Sequence, residues 1–303
     1  MNAIVRCRQF LAATALLLTA TGCSMSPPGM PVQNAALQVH ATAPQPLLFV
    51  STGRQNLIQI YQANATHQLV GQITDGLVGP NAEAVDTAGD LYVANVDGAT
   101  VTVYPPGATK PSLTYTKGLT NPLTPAVGND GTLYVSNFNP DGSGTILEYP
   151  PHHMKPTFKI PLVGGAVGLA VDASNNVYVT TYGSIGNVVK FPPKSKNGKD
   201  LGIKLGFAGR LILDKKGDII VCDQAVPAVD VFPPGATKPS KQITTGFVDP
   251  FALALNKPER RLFVADGAGK TVNVYSYPGL KLVSVINRSG TSYGLAINPP
   301  APL

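Results

Sequence analysis

Three observations predict an all-β fold, a six-bladed β-propeller. A short apolar strand returns six times at intervals of 42–44 residues. In each copy a following strand ends on an aromatic residue, and a run of small residues precedes the apolar strand. Repeats of about 40–45 residues with several strands apiece are blades stacked around an axis. Gly (31) and Pro (28) are abundant, and no long stretch carries the periodicity of an amphipathic helix.

The chain begins with a different kind of segment. Arg6 and Arg8 precede the apolar run Phe10 to Ala20, which at eleven residues is too short for a bilayer span of about 20. This is the pattern of a signal peptide over residues 1–22. Removing it takes the formal charge from +6 to +4, since the segment holds two arginines and no acid. Ala20-Thr21-Gly22-Cys23 resembles the lipobox of bacterial lipoproteins, with Ala20 where that pattern prefers Leu. The resemblance implies a lipidated Cys23 and a protein anchored to the bacterial cell envelope, at the outer membrane if the cell is Gram-negative. Several acyl chains give durable anchoring at about 0.8 kcal/mol per buried methylene. Residues 23–46, rich in Pro, Ala, Gln and Ser, read as a flexible tether.

The repeats occupy residues 47–298. The apolar strands begin at Leu48, Leu91, Leu133, Val177, Ile219 and Leu262, each followed by a small residue after its triplet. Cys222 falls in one of these small slots, which predicts a packing role. The aromatic strand ends are Tyr61, Tyr104, Tyr149, Phe191, Phe232 and Tyr275. After two of them the chain reads Pro-Pro-Gly-Ala-Thr-Lys-Pro, where proline removes a ladder donor and glycine lets the chain reverse.

The small-residue strands, such as Gly168-Leu169-Ala170-Val171-Asp172, suit the crowded axis. Their terminal Asp or Asn residues, followed by turn residues, are expected to form hairpins. The chain enters on a second strand at Leu47 and leaves after an innermost strand ending at Asn298. The C-terminal strand should therefore complete the blade that the N-terminus begins, leaving residues 299–303 as a tail. Such closure protects sheet edges from aggregation.

This repeat pattern resembles NHL-type repeats and the gluconolactonase-like (regucalcin-like) propellers, over residues 47–298. The second of these families implies a divalent metal at the axis, held by acidic and amide side chains where innermost strands begin. The matching positions here are Asn81, Leu123, Val167, Gly209, Phe251 and Tyr293, and only Asn81 offers an oxygen of the required kind. No metal site and no cofactor are expected, because calcium takes six to eight oxygens. No catalytic residue stands out, and His152-His153 reads as an exposed turn. Nor does the chain carry a basic stripe with aromatic residues that would suit nucleic acid.

Two residues break the repeat near the axis. Glu83 fills a slot held elsewhere by Pro125, Leu169, Leu211, Leu253 and Leu295, and Arg210 one held by Ala82, Thr124, Gly168, Ala252 and Gly294. They lie on opposite blades and form either a polarised ligand pocket, a channel ion pair or a pair of solvated side chains. Asn81, Glu83, Arg210 and Tyr293 are the candidate axial binding residues. Asn95, Asn137, Asp223 and Asp266, which follow the second strands, are candidates for a mouth, although turn formation explains them equally. The function expected is a non-catalytic module binding a small ligand or an envelope protein, with a diverged gluconolactonase-like or NHL-type hydrolase or lyase as the alternative.

Overall fold

The computed structural model describes residues 45–182 and 186–302; the leader, Cys23 and most of the tether lie outside them. Twenty-four strands, numbered in chain order, form six four-stranded antiparallel sheets. The innermost strands are β4 (Pro80–Val85), β8 (Asn121–Val127), β12 (Gly165–Val171), β16 (Ala208–Leu213), β20 (Pro250–Leu255) and β24 (Gly294–Asn298). Each packs on the next around the axis, and β24 touches both β20 and β4, so the ring is closed.

Closure is made as the repeat register requires. β1 (Leu47–Thr52) pairs antiparallel with β24, Leu47 opposite Asn298 and Ser51 opposite Gly294. On its other edge β1 pairs with β2 (Leu57–Gln62), which pairs with β3 (Leu69–Ile73). The first blade is thus stitched from both ends of the repeat region. Each of the other five is a run of four consecutive strands.

The core lies between blades. Alternating Val, Ile and Leu from facing sheets bury against one another, and Leu48, Val93, Val135, Val179, Val221 and Leu262 are among the completely buried residues. Cys222 is fully buried between the fifth and sixth blades, and burial pushes its thiol pKa well up. Two of the aromatic strand ends tie their blades to the segments that lead into them. The Tyr104 hydroxyl donates to the Asp75 carbonyl at 2.6 Å, and Tyr149 donates to Lys117 at 2.7 Å.

Local turn chemistry follows the sequence. Gly107 and Gly235 sit at φ +78° and +79° in the two Pro-Pro-Gly turns, a region that favours glycine. Asp86 accepts from the backbone N–H groups of Ala88 and Asp90 at 2.9 Å, and Asp172 and Asp214 repeat this in their own hairpins. These acids shape turns.

Candidate functional site

Six innermost strands enclose an axial cavity of about 180 Å³. Its wall is mainly apolar, with Ala84, Ala126, Ala170, Ala254 and Ala296 backed by Val85, Val127, Val171, Leu255 and Ile297. Glu83 and Arg210 are the charged residues on this wall. At the end where the strands finish, Pro300, Ala301 and Pro302 line the base, and Pro300 bridges to Asn256. Within the segment expected to be a tail, Pro300, Ala301 and Pro302 are therefore part of the cavity.

Arg210 closes the other end. From the fifth blade its guanidinium donates to Thr124 Oγ1 of the third blade and to the Val167 carbonyl of the fourth, the latter at 3.1 Å. Its other terminal nitrogen donates to Asn81 of the second blade, at the side-chain Oδ1 and at the backbone carbonyl, 3.3 Å away. The ring of Phe251, on the sixth blade, lies 5.4 Å from the guanidinium carbon. Tyr293, half-buried on the first blade, meets Phe251 edge-on at 5.2 Å. One side chain thereby ties four other blades at the rim where innermost strands begin. Burial pulls the Arg210 pKa down to about 10, which leaves it charged near neutrality.

The small slots around Arg210 have a steric reason. A Cβ on Gly168 would come within 2.8 Å of the Arg210 Cα. Gly294 plays the same part for Glu83, because a Cβ there would collide with Glu83 Oε2 and approach the Ala82 Cα to 2.7 Å. Glu83 is 6% exposed, and neither carboxylate oxygen has a hydrogen-bond partner. Desolvation raises its pKa to about 7, against the opposing effects of Ser51 and of the positive charges of Arg210 and Arg288. Among the described residues Arg210 Nε is likewise buried without a partner, and the buried Ser51 hydroxyl lies near enough to Glu83 to oppose the rise in its pKa, although its geometry is not that of a full hydrogen bond.

Glu83 and Arg210 thus share the cavity wall, but they form no ion pair among the described residues. The guanidinium goes to Asn81 and Thr124 instead. This corrects the channel ion pair considered from sequence: the amide and hydroxyl across the rim lie within reach and the carboxylate does not. Asn81 Oδ1, the one metal-type oxygen at the strand entries, accepts from Arg210.

The four mouth candidates are buried and committed to backbone. Asn95 Oδ1 accepts from Val78 N–H at 3.1 Å, and Asn137 Oδ1 from Thr120 N–H at 2.8 Å. Asp223 accepts from Gly206 and Phe207, and Asp266 from Val248 and Asp249, at 2.7–3.0 Å. Each holds the segment that enters its own blade's innermost strand. What the rim presents instead is apolar: Val78, Phe207, Val226 and Val248 are exposed on these segments and turns.

In the first blade Thr52 occupies the equivalent position and Arg288 supplies the polar link. Its guanidinium donates to Thr52 Oγ1 at 2.7 Å and to Gln59 Oε1 at 2.8 Å. Sequence reasoning missed Arg288, Ser51 and Thr124 as members of the site. The signal available for Thr124 was its place in the slot that Arg210 fills.

The chain matches no protein-family model and no curated protein. Solved structures share its architecture. A chain of the nidogen/laminin complex superposes with a TM-score of 0.67 at 17% identity, covering 84% of this chain and 98% of that one. A protein of unknown function from Bacteroides caccae gives 0.66 at 14% identity, with coverage of 84% and 98%. Kuenenia stuttgartiensis hydrazine synthase gives 0.61 at 13% identity, with coverage of 82% and 86%. At these identities the likeness is one of fold.

Proposed function

We propose that this chain is an exported, lipid-anchored binding protein whose axial cavity takes a small hydroxyl-bearing amphiphile. The observation that carries this is Glu83: a buried carboxylate with both oxygens unpartnered, in a slot where four other blades place Leu. An unpaired buried carboxylate costs several kcal/mol, so a repeat that keeps one forgoes stability that leucine would supply. A ligand hydroxyl would donate to Glu83 once the carboxylate, sealed against the wall in the free protein, turns into the cavity, and its oxygen would remain free to accept from Arg210 on the same wall. A charged head suits the cavity less, because ammonium is repelled by Arg210 and carboxylate by ionised Glu83. The volume of about 180 Å³ is near that of an engineered apolar cavity of about 150 Å³ that admits benzene. It fits roughly six to eight heavy atoms.

In this reading Cys23 carries the lipid and residues 24–46 hold the propeller clear of the envelope membrane. The NHL-type or gluconolactonase-like resemblance then concerns architecture. A hydrolase or lyase of that kind would need a different centre, since Asn81 is engaged by Arg210.

The test is ligand-observed NMR with 1-butanol, 1-pentanol and 1-hexanol, beside the matching alkylammonium and carboxylate, on the wild type and Glu83→Leu. The alkanols should bind the wild type and lose at least tenfold in the variant. Equal binding to both proteins, or none to either, would refute the reading.

A further inference from the structure

The outermost strands protect their free edges in different ways, and one is the least protected. β7 (Leu113–Tyr115) and β19 (Lys241–Ile243) are only three residues long. β11 (Phe158–Leu162) carries Lys159 and Pro161, β15 (Lys199–Leu205) carries Lys199, Asp200, Gly202 and Lys204, and β3 contains Gly71. Charge, proline, glycine and short length are the usual means of keeping an open edge from pairing. β23 (Leu282–Asn287), the outer strand of the sixth blade, reads Leu-Val-Ser-Val-Ile-Asn and has none of them; its one irregularity is a bulge at Val283, which leaves Ser284–Asn287 in regular register with β22.

Among the described residues β23 pairs only with its inner neighbour, β22 (Thr271–Ser276). Leu282, Val283 and Val285 are 56%, 49% and 42% exposed. Beside it runs a groove shared with the first blade, lined by Tyr61, His67, Leu69, Ser284 and Arg288. His67 Nε2 meets Ser284 Oγ at 2.8 Å and fixes the two blades together. Burial lowers the His67 pKa, opposed by a backbone hydrogen bond with Gln62 and assisted by the charge of Arg261. Exposed Leu69 and Val70 extend the apolar surface onto the first blade.

The charge around this edge has one sign. The sixth blade exposes Lys257, Arg260, Arg261, Lys270 and Lys281. Its two acids, Glu259 and Asp266, are buried and accept from backbone N–H groups. A second copy joined through the same edge would set two such basic surfaces against each other, which is unfavourable. An acidic segment meets complementary charge on the same frame.

We propose that β23 accepts an extended segment of a partner protein as a fifth strand, one with alternating apolar side chains and acidic ends. Main-chain hydrogen bonds along the open edge would supply affinity. The apolar surface and the basic frame would supply selectivity.

The probe is the blocked peptide Asp-Glu-Val-Thr-Val-Thr-Val-Glu-Asp, added to the full chain. Controls are its lysine-ended counterpart and a version with proline at the centre. Binding is read by fluorescence anisotropy and location by hydrogen exchange. The acidic peptide should slow exchange over residues 282–287 and bind at least tenfold more tightly than the lysine-ended one. The proline peptide should not bind. Val285→Asp, at an exposed position within the regular ladder, should weaken binding of the acidic peptide at least tenfold with unchanged circular dichroism.

Equal binding of the acidic and basic peptides, or no protection of 282–287, would overturn the proposal. So would protection in the chain alone: if it rises with concentration a second copy covers the edge, and if it does not, a segment of the same chain does.

Discussion

Arg210 crosses the propeller axis and donates to Asn81 twice, at the side-chain Oδ1 and at the backbone carbonyl 3.3 Å away. The two residues stand 129 positions apart in sequence and on opposite blades. Their contact, with the bonds to Thr124 and Val167, makes a single side chain the tie of the entry rim.

Removing that tie should loosen the ring. Arg210→Met leaves Asn81 Oδ1 without its donor, while Thr124 Oγ1 still donates to the Val167 carbonyl, which also keeps Ser136 Oγ; a buried unsatisfied group costs about 1–3 kcal/mol. A loss in that range is expected by urea denaturation. Arg210→Lys should recover little of it, because a single ammonium cannot reproduce the planar fork.

Glu83 makes stability depend on pH. Its folded pKa of about 7 lies above its ordinary value of 4.5. The folded state therefore holds the proton more tightly, and stability present below pH 4.5 is lost as pH rises through 7. The loss is on the order of 3 kcal/mol. Glu83→Leu, which restores the residue of four other blades, should flatten this dependence between pH 5 and 8. At pH 8 it should also be the more stable protein by about 1–4 kcal/mol.

Asp266 holds the entry segment of the sixth blade through the Val248 and Asp249 N–H groups, and its own following turn through Gly269 N–H. Asp266→Ala should destabilise by about 2–4 kcal/mol, since several buried donors lose their acceptor. Asp266→Asn should cost less than half as much, because Asn95 and Asn137 do the same work in their own blades.

A chain ending at Asn298 retains every strand but lacks the floor formed by Pro300, Ala301 and Pro302. It should fold with unchanged circular dichroism, and alkanols should enter and leave the cavity faster, as read by NMR line shape.

The blades were legible because an apolar triplet that recurs about every 43 residues follows from one blade geometry, and the aromatic stops and small slots fixed its register. Glu83 and Arg210 were legible as breaks in that register. Their partners were not. A guanidinium that spans an axis selects whichever acceptors lie across it, and these are set by ring geometry rather than by local pattern. Asn81 was considered as a metal-type oxygen and serves as an acceptor for Arg210. The mouth residues were visible as a ring of Asn and Asp, but periodicity does not reveal whether such side chains face solvent or bind a backbone segment behind them. The base of the cavity was missed because Pro299 to Pro302 has the composition of a tail. Only packing against the innermost strands gives that segment a role.

The most direct measurement is a ¹³C NMR titration of the Glu83 carboxyl in the full chain, with and without 1-pentanol. A hydroxyl donating to the carboxylate favours the ionised form. The pKa should therefore lie near 7 in the free protein and fall when the alkanol is bound. A carboxyl that titrates near 4.5, or one whose pKa does not move with alkanol, would contradict a ligand site built on Glu83.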